Sequence, residues 1–151
     1  MKNYNLTFNP IQDLSSFGSF VFFLFLIIVS VFFDLYLSLF LLIGLIIILL
    51  IALFIRTFYF KSRPNHEAYR NFIEKIDASS FPSVHAARVL FLAILFSLYF
   101  NKILLTILFF LLAFGTCWSR IYLKKHDIYD VIGGIFLGII TFFIIKLLFP
   151  I

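Results

Sequence analysis

The sequence predicts an all-α membrane protein: a polytopic helix bundle of about five transmembrane helices with a short interfacial helix. Three observations carry this. Hydrophobic residues make up 64% of the 151 residues and charged residues only 13%. The mean hydropathy is +1.14, more apolar than a soluble domain of this size can hide. The apolar residues fall into runs at 17–33, 35–60, 84–100, 103–118 and 128–149, separated by polar breaks. Each run is near the ~20 residues that cross a bilayer core.

The chain opens on a mixed polar stretch with an Asn9-Pro10 turn, expected at the interface. The first run is short, and Asp34 ends it. The second exceeds a ~30 Å core, so its end, with Arg56, protrudes or tilts. Residues 61–81 form a long polar connection. Within it Tyr69, Phe72, Ile73 and Ile76 recur at helical spacing among Glu67, Arg70, Asn71, Glu74 and Lys75. That pattern predicts an amphipathic surface helix with Asn65 as its cap. Pro82 opens the third span, and Asn101-Lys102 is a tight turn before the fourth. Gly133-Gly134 and Gly138 give the fifth span a small-residue face for close packing. Trp118 and Tyr122 fit an aromatic belt.

The chain reads as a single membrane domain over 1–151. Its net charge of +5 points to lipid headgroups, phosphate or topology bias, not to nucleic acid, because no basic patch is interleaved with aromatics outside the spans. Cys117 is the one cysteine, which excludes an intrachain disulfide. No cleavable signal peptide is evident, and the first apolar run reads as a retained span.

With five spans, the chain start, the 61–81 connection and the 119–127 connection share one side. Three polar clusters meet there: Arg56 with Arg63-Pro64; Pro82-Ser83-Val84-His85; and Ser119-Arg120 with His126 and Asp130. Polar groups beside hydrocarbon are costly and mark function by default. His126 and Asp130 are four apart and share a helical face, so the carboxylate can hold one imidazole nitrogen and leave the other basic. Guanidinium groups match phosphate oxygens with planar, paired donors. Ser83 and Val84 at a helix start present amides to an anion. His85, one turn further, can protonate a leaving group. Arg88 shares the His85 face, either as a substrate contact or as the partner of an interior carboxylate. His66 reads as a solvated loop residue, Asp127 as a helix cap, and Lys124 and Lys125 as headgroup contacts.

These clusters resemble the type 2 phosphatidic acid phosphatase family, whose fold is shared with vanadium-dependent haloperoxidases. The family pattern is Lys, six residues, Arg-Pro; then Pro-Ser-Gly-His; then Ser-Arg, five residues, His, three residues, Asp. The third part is present in full, and the core motifs span 56–130. Arg56 stands for the family's Lys and Val84 for its Gly. Valine is strained if that position needs a positive φ and tolerated if it lies in a helix first turn; Pro82 favours the second. The family's membrane members commonly have six spans, one more than the runs found here.

The resemblance implies an integral membrane lipid phosphate phosphatase of the cell membrane. Its substrate would be a phosphomonoester or diphosphate of a lipid: a polyprenyl diphosphate, phosphatidylglycerophosphate or phosphatidic acid. His126 would be the nucleophile forming a phosphohistidine, Asp130 its orienting group and His85 the general acid. Arg56, Arg63, Ser83, Val84, Ser119 and Arg120 would bind phosphate, with no metal and no other cofactor. Its partners would be the substrate and membrane lipids. A catalytically impaired lipid-binding relative and a lipid phosphotransferase are the alternatives. The excess of lysine and arginine on the site's side points to the cytoplasm, but acidic residues are abundant on that side too and many bacterial relatives face outward, so both orientations stay open.

Overall fold

A computed structural model describes residues 10–65 and 70–149 as seven helices. The predicted all-α membrane bundle is what is observed. Among the described residues the one β feature is an isolated antiparallel bridge between Ser62 and Ser79.

The predicted first span, 17–33, holds one helix, α2 (Phe20–Val31), and the polar stretch before it forms another, α1 (Pro10–Ser16), bent by 51° from α2 at the break. Residues 17–19 explain the break. Ser19 caps α2 by accepting the Phe22 N–H at 3.1 Å, which starts a new helix instead of continuing the old one. Gly18 lies so close to α5 and α6 that a Cβ there would stand 3.0 Å from His85 and Thr116. Residues 10–16, expected at the interface, are helical and packed. Pro10 takes the first helical position, and α1 packs on α6, where the Leu14 carbonyl accepts from Thr116 Oγ1 at 3.1 Å.

Helix α3 (Leu35–Phe58) begins where Asp34 accepts the Tyr36 and Leu37 N–H groups at 2.8 and 3.2 Å. The surface helix α4 (Phe72–Ala78) starts later than predicted. Its cap is Asn71, which accepts the Glu74 N–H at 2.8 Å, while the Glu74 carboxylate reaches back to the Arg70 N–H. Asn65 instead donates its N–H to the Lys124 carbonyl at 3.1 Å, tying two connections together. Phe72 and Ile73 on α4 are exposed, as an interfacial helix requires. Asn9, His66, Glu67 and Tyr69 lie outside the described residues.

Helix α5 covers Val84–Phe100, the predicted third span. Asn101 ends it in the left-handed region at φ 46°, a conformation asparagine tolerates. Helix α6 (Ile103–Tyr122) runs one turn beyond prediction, so Ser119 and Arg120 are helical. Helix α7 (Ile128–Leu148) opens with a reciprocal cap between Asp127 and Asp130.

Three helices, α3, α6 and α7, are individually long and apolar enough to cross a membrane, and the bent α1–α2 pair passes the same test together. The 17 residues of α5 rise about 25 Å, a little under a ~30 Å core. It is the central helix, packed chiefly on α6 and α7. The interior holds Phe23, Leu41, Ile48, Phe91 and Ile145 without exposure. The outer face carries exposed Phe32, Phe33, Leu53, Phe114, Phe143 and Leu147, which suits hydrocarbon and not water.

Small residues set the α5–α7 distance. A Cβ on Gly134 would stand 2.3 Å from the Ser83 carbonyl oxygen, and on Gly138 2.6 Å from that of Ala87. Gly133 faces the Phe81 ring instead, which can turn aside. Gly134→Ala is therefore expected to cost about 1–3 kcal/mol through overpacking against backbone. It should lower the unfolding midpoint in detergent more than Gly133→Ala does. Equal midpoints for the two variants would contradict this packing.

Candidate active site

Five connections between distant segments assemble the polar face. Ser80 N–H donates to the Lys61 carbonyl at 2.7 Å, and Ser83 N–H to the Asp130 carbonyl at 2.9 Å. Arg56 donates to the Pro82 carbonyl at 3.0 Å, and Arg63 to the Asp77 carbonyl at 2.7 Å. Arg120 donates to Ser15 Oγ at 2.7 Å. Each of these arginines is thus anchored to a neighbouring segment by a hydrogen bond of its guanidinium fork, which carries five N–H donors.

These links enclose a cavity of about 270 Å³ lined by Phe20, Leu49, Arg56, Arg63, Asp77, Val84, His85, Arg88, Arg120 and His126. Of the residues expected from sequence, Arg56, Arg63, Val84, His85, Arg120 and His126 meet at this cavity. Ser83, Ser119 and Asp130 do not line it. Ser119 is buried and donates its hydroxyl to the Thr116 carbonyl at 2.6 Å, so a helical back-bond takes the group expected to bind phosphate. Ser83 is buried at the start of α5, and its hydroxyl makes no capping bond.

Val84 is the first residue of α5. Among the described residues the non-glycine positive φ values belong to Asn101 and Lys124, so Val84 carries no backbone strain and keeps its N–H at the helix start. Pro82 lies two residues before that start, with Ser83 as the N-cap, so it precedes the helix and does not open it.

His126 is delivered by a tight turn. Lys124 takes φ 53°, and the Lys125 and His126 N–H groups both donate to the Arg120 carbonyl at 3.1 and 3.2 Å. This folds the chain back beneath the last turn of α6 and brings the imidazole beside Arg120. Asp130 lies behind it, with Oδ2 3.8 Å from His126 Nδ1. That is ion-pair range and too long for a hydrogen bond, and Nδ1 has no hydrogen-bond partner.

The Asp130 carboxylate is engaged elsewhere. Oδ1 accepts from Lys61 Nζ at 2.8 Å and Oδ2 from the Asp127 N–H at 2.9 Å. Lys61 also pairs with Asp127 at 2.6 Å. Burial opposes the charge on Lys61, but the hydrogen bonds it donates to the two carboxylates outweigh it and raise its pKa, so it stays cationic. Sequence reasoning counted Lys61 only among the positive charges on the side of the membrane that holds the site. No local spacing could have found it, because its partners lie 66 and 69 residues away. Asp77, which lines the cavity, was missed for the same reason.

Burial depresses the His126 pKa below the ordinary imidazole value of 6.5, and Arg120 and Arg63 depress it further, while Asp130 pulls the other way. The imidazole is therefore neutral at neutral pH, with a lone pair available. If His126 attacks, the acid limb of kcat/KM falls below about pH 6.5. Removing a neighbouring cation relieves the depression, so Arg120→Gln should move that limb upward. A limb that stays put, measured on the residual activity, would contradict the coupling.

The chain is similar to two solved membrane proteins. Against the crystal structure of LpxE from Aquifex aeolicus the TM-score is 0.76 at 23% identity, covering 90% of this chain and 82% of that one. Against the PAP2-type phosphatidylglycerolphosphate phosphatase of Bacillus subtilis it is 0.73 at 22% identity, covering 92% and 74%. At such identities the likeness is one of fold. No curated protein matches by sequence. The PAP2 superfamily matches residues 35–150, which takes in α3 through α7 and all three polar clusters; the chain belongs to the PAP2 superfamily.

Proposed function

We propose that this protein is a multi-pass lipid phosphate phosphatase of the cell membrane that works through a phosphohistidine. The observation that carries the reading is the convergence of two imidazoles and the arginines of three separate helix ends and connections on one cavity at the polar end of an apolar bundle.

In this reading the phosphoryl group sits among Arg56, Arg63, Arg120 and the Val84 N–H. The His126 Nε2 lone pair attacks phosphorus. The bond to the leaving oxygen breaks, its electron pair stays on that oxygen, and His85 supplies the proton. Water then attacks phosphorus and gives its proton to His85. The P–N bond breaks with its pair returning to Nε2, and inorganic phosphate leaves. Asp130 stabilises the charge that builds on the His126 ring. Guanidinium groups supply the charge compensation, so the reading needs no metal.

The test is phosphate release by purified protein from a panel of phosphatidic acid, phosphatidylglycerophosphate and polyprenyl diphosphate. Turnover is expected to persist in EDTA and to be inhibited by vanadate, which takes the five-coordinate geometry of the transferring phosphorus. Loss in EDTA reversed by Mg²⁺ contradicts the mechanism. Binding without turnover across the panel contradicts the enzyme reading.

A further inference from the structure

We infer that Arg88 forms a second anion subsite on the leaving-group side of the cavity and that the substrate is the diphosphate ester of an apolar alcohol. This rests on the phosphatase reading above and narrows it. Arg88 lies outside the three polar clusters that carry the reaction. It stands three residues beyond His85 on α5, about one turn, or ~4.5 Å, deeper into the bundle. It lines the same cavity and is only 4% exposed. Its Nε has no hydrogen-bond partner, and among the described residues no carboxylate lies within ion-pair distance of it. The sequence left open whether Arg88 meets an interior carboxylate or substrate. Among the described residues no carboxylate pairs with it: Asp77 lines the same cavity but forms no ion pair with Arg88.

A buried guanidinium without a counter-charge is costly, and the cavity offers the place for the missing anion. Its position indicates which anion. Attack by His126 is in line with departure of the group on the far side of phosphorus, where His85 waits. A phosphomonoester releases an alcohol there, which has no use for a buried cation one turn below the acid. A diphosphate ester releases a lipid monophosphate, whose oxygens match the guanidinium fork. In that reaction the bond from the terminal phosphorus to the bridging oxygen breaks and its electron pair goes to the bridging oxygen. The departing monophosphate takes up the His85 proton, and Arg88 holds its charge. The route for the tail is also present. Phe20 and Leu49 line the cavity and are 45% and 39% exposed. They form an apolar side between α2 and α3 through which a hydrocarbon chain can reach the bilayer.

The experiment compares farnesyl diphosphate with farnesyl monophosphate, which share one tail, on wild type, Arg88→Gln and Arg88→Lys. Arg88→Gln is expected to lower kcat/KM for the diphosphate by about 30- to 100-fold and for the monophosphate by less than about threefold, with Arg88→Lys between, since a bidentate charge-assisted contact is lost for one substrate only. Equal losses on both substrates overturn the inference and leave Arg88 a structural residue. A wild type that hydrolyses the monophosphate and not the diphosphate overturns it while the phosphatase reading stands. A wild type that hydrolyses neither overturns the inference, and if it also releases no phosphate from the lipid panel above, the phosphatase reading falls with it. Should Arg88→Gln not fold, inhibition of the wild type gives the same contrast. A non-hydrolysable methylenediphosphonate ester should inhibit about tenfold more tightly than the matching monophosphonate, and equal inhibition overturns the inference.

Discussion

His126→Ala is expected to reduce phosphate release by about 10⁴-fold or more, because removing a nucleophile removes the reaction path and not merely a fraction of its stabilisation. The imidazole has no substitute in the cavity. His85 stands on α5, apart from the turn that carries His126, and in the proposed mechanism it serves the leaving group. The variant should fold, since His126 fills little of the helix-packing interior and its backbone bonds to Arg120 survive truncation. It should still bind substrate, because the arginines are untouched. Retained binding with lost turnover separates a catalytic role from a packing one. Lys124→Ala, two residues away, is expected to change activity only mildly, because the Lys124 hydrogen bonds are made by its backbone, the carbonyl accepting from Asn65 and the N–H donating to Ile121.

The second large effect is expected at Asp130, and its value lies in its sign. The side chain is fully buried. It faces His126, ties Lys61 to α7 and closes the Asp127 cap. Asp130→Ala should lower kcat by roughly 10²- to 10⁴-fold through a misplaced and unsupported imidazole. It should cost about 1–3 kcal/mol of stability, less than the loss of an entirely buried pair, because Asp127 still holds Lys61. The pH profiles should then move in opposite directions. Asp130 favours the charged form of His126, so Asp130→Asn lets the acid limb fall further. Lys61 neutralises Asp130, so Lys61→Met frees the carboxylate to favour the imidazolium, and the limb rises. Limbs that move together would show that Lys61 and Asp130 do not act on His126 through one another.

The residues show how much of this was legible beforehand. The apolar runs located the spans because hydrocarbon selects composition directly: Asp34, Asn101 and Asp127 interrupt the runs and cap or close the helices found there. The polar clusters converged as their order implied, because spans that alternate direction bring their ends to one face. The misreadings came where tertiary contact overrides local pattern. The stretch before the first run was read as interfacial, yet residues 10–16 form α1, whose Leu14 carbonyl is held by Thr116 on α6. The surface helix was placed a turn too early because Asn65 and Asn71 look alike as caps, and only the loop contact to Lys124 distinguishes them. Ser119 has a hydroxyl in the right motif, but helix α6 continues past it and takes that hydroxyl for itself. Lys61 was invisible as a site residue because nothing near it in sequence announces Asp127 and Asp130.

The central claim is a covalent bond between phosphorus and His126. The most direct measurement is rapid mixing of the purified protein with a lipid phosphate, quenching in alkaline denaturant, where a phosphohistidine survives, and mass spectrometry of the peptide that contains residues 119–130. A single phosphoryl group on His126, absent from His126→Ala and abolished by vanadate, is the result predicted. Full turnover with no phosphoryl group trapped on the chain, or a phosphoryl group on His85, would contradict it.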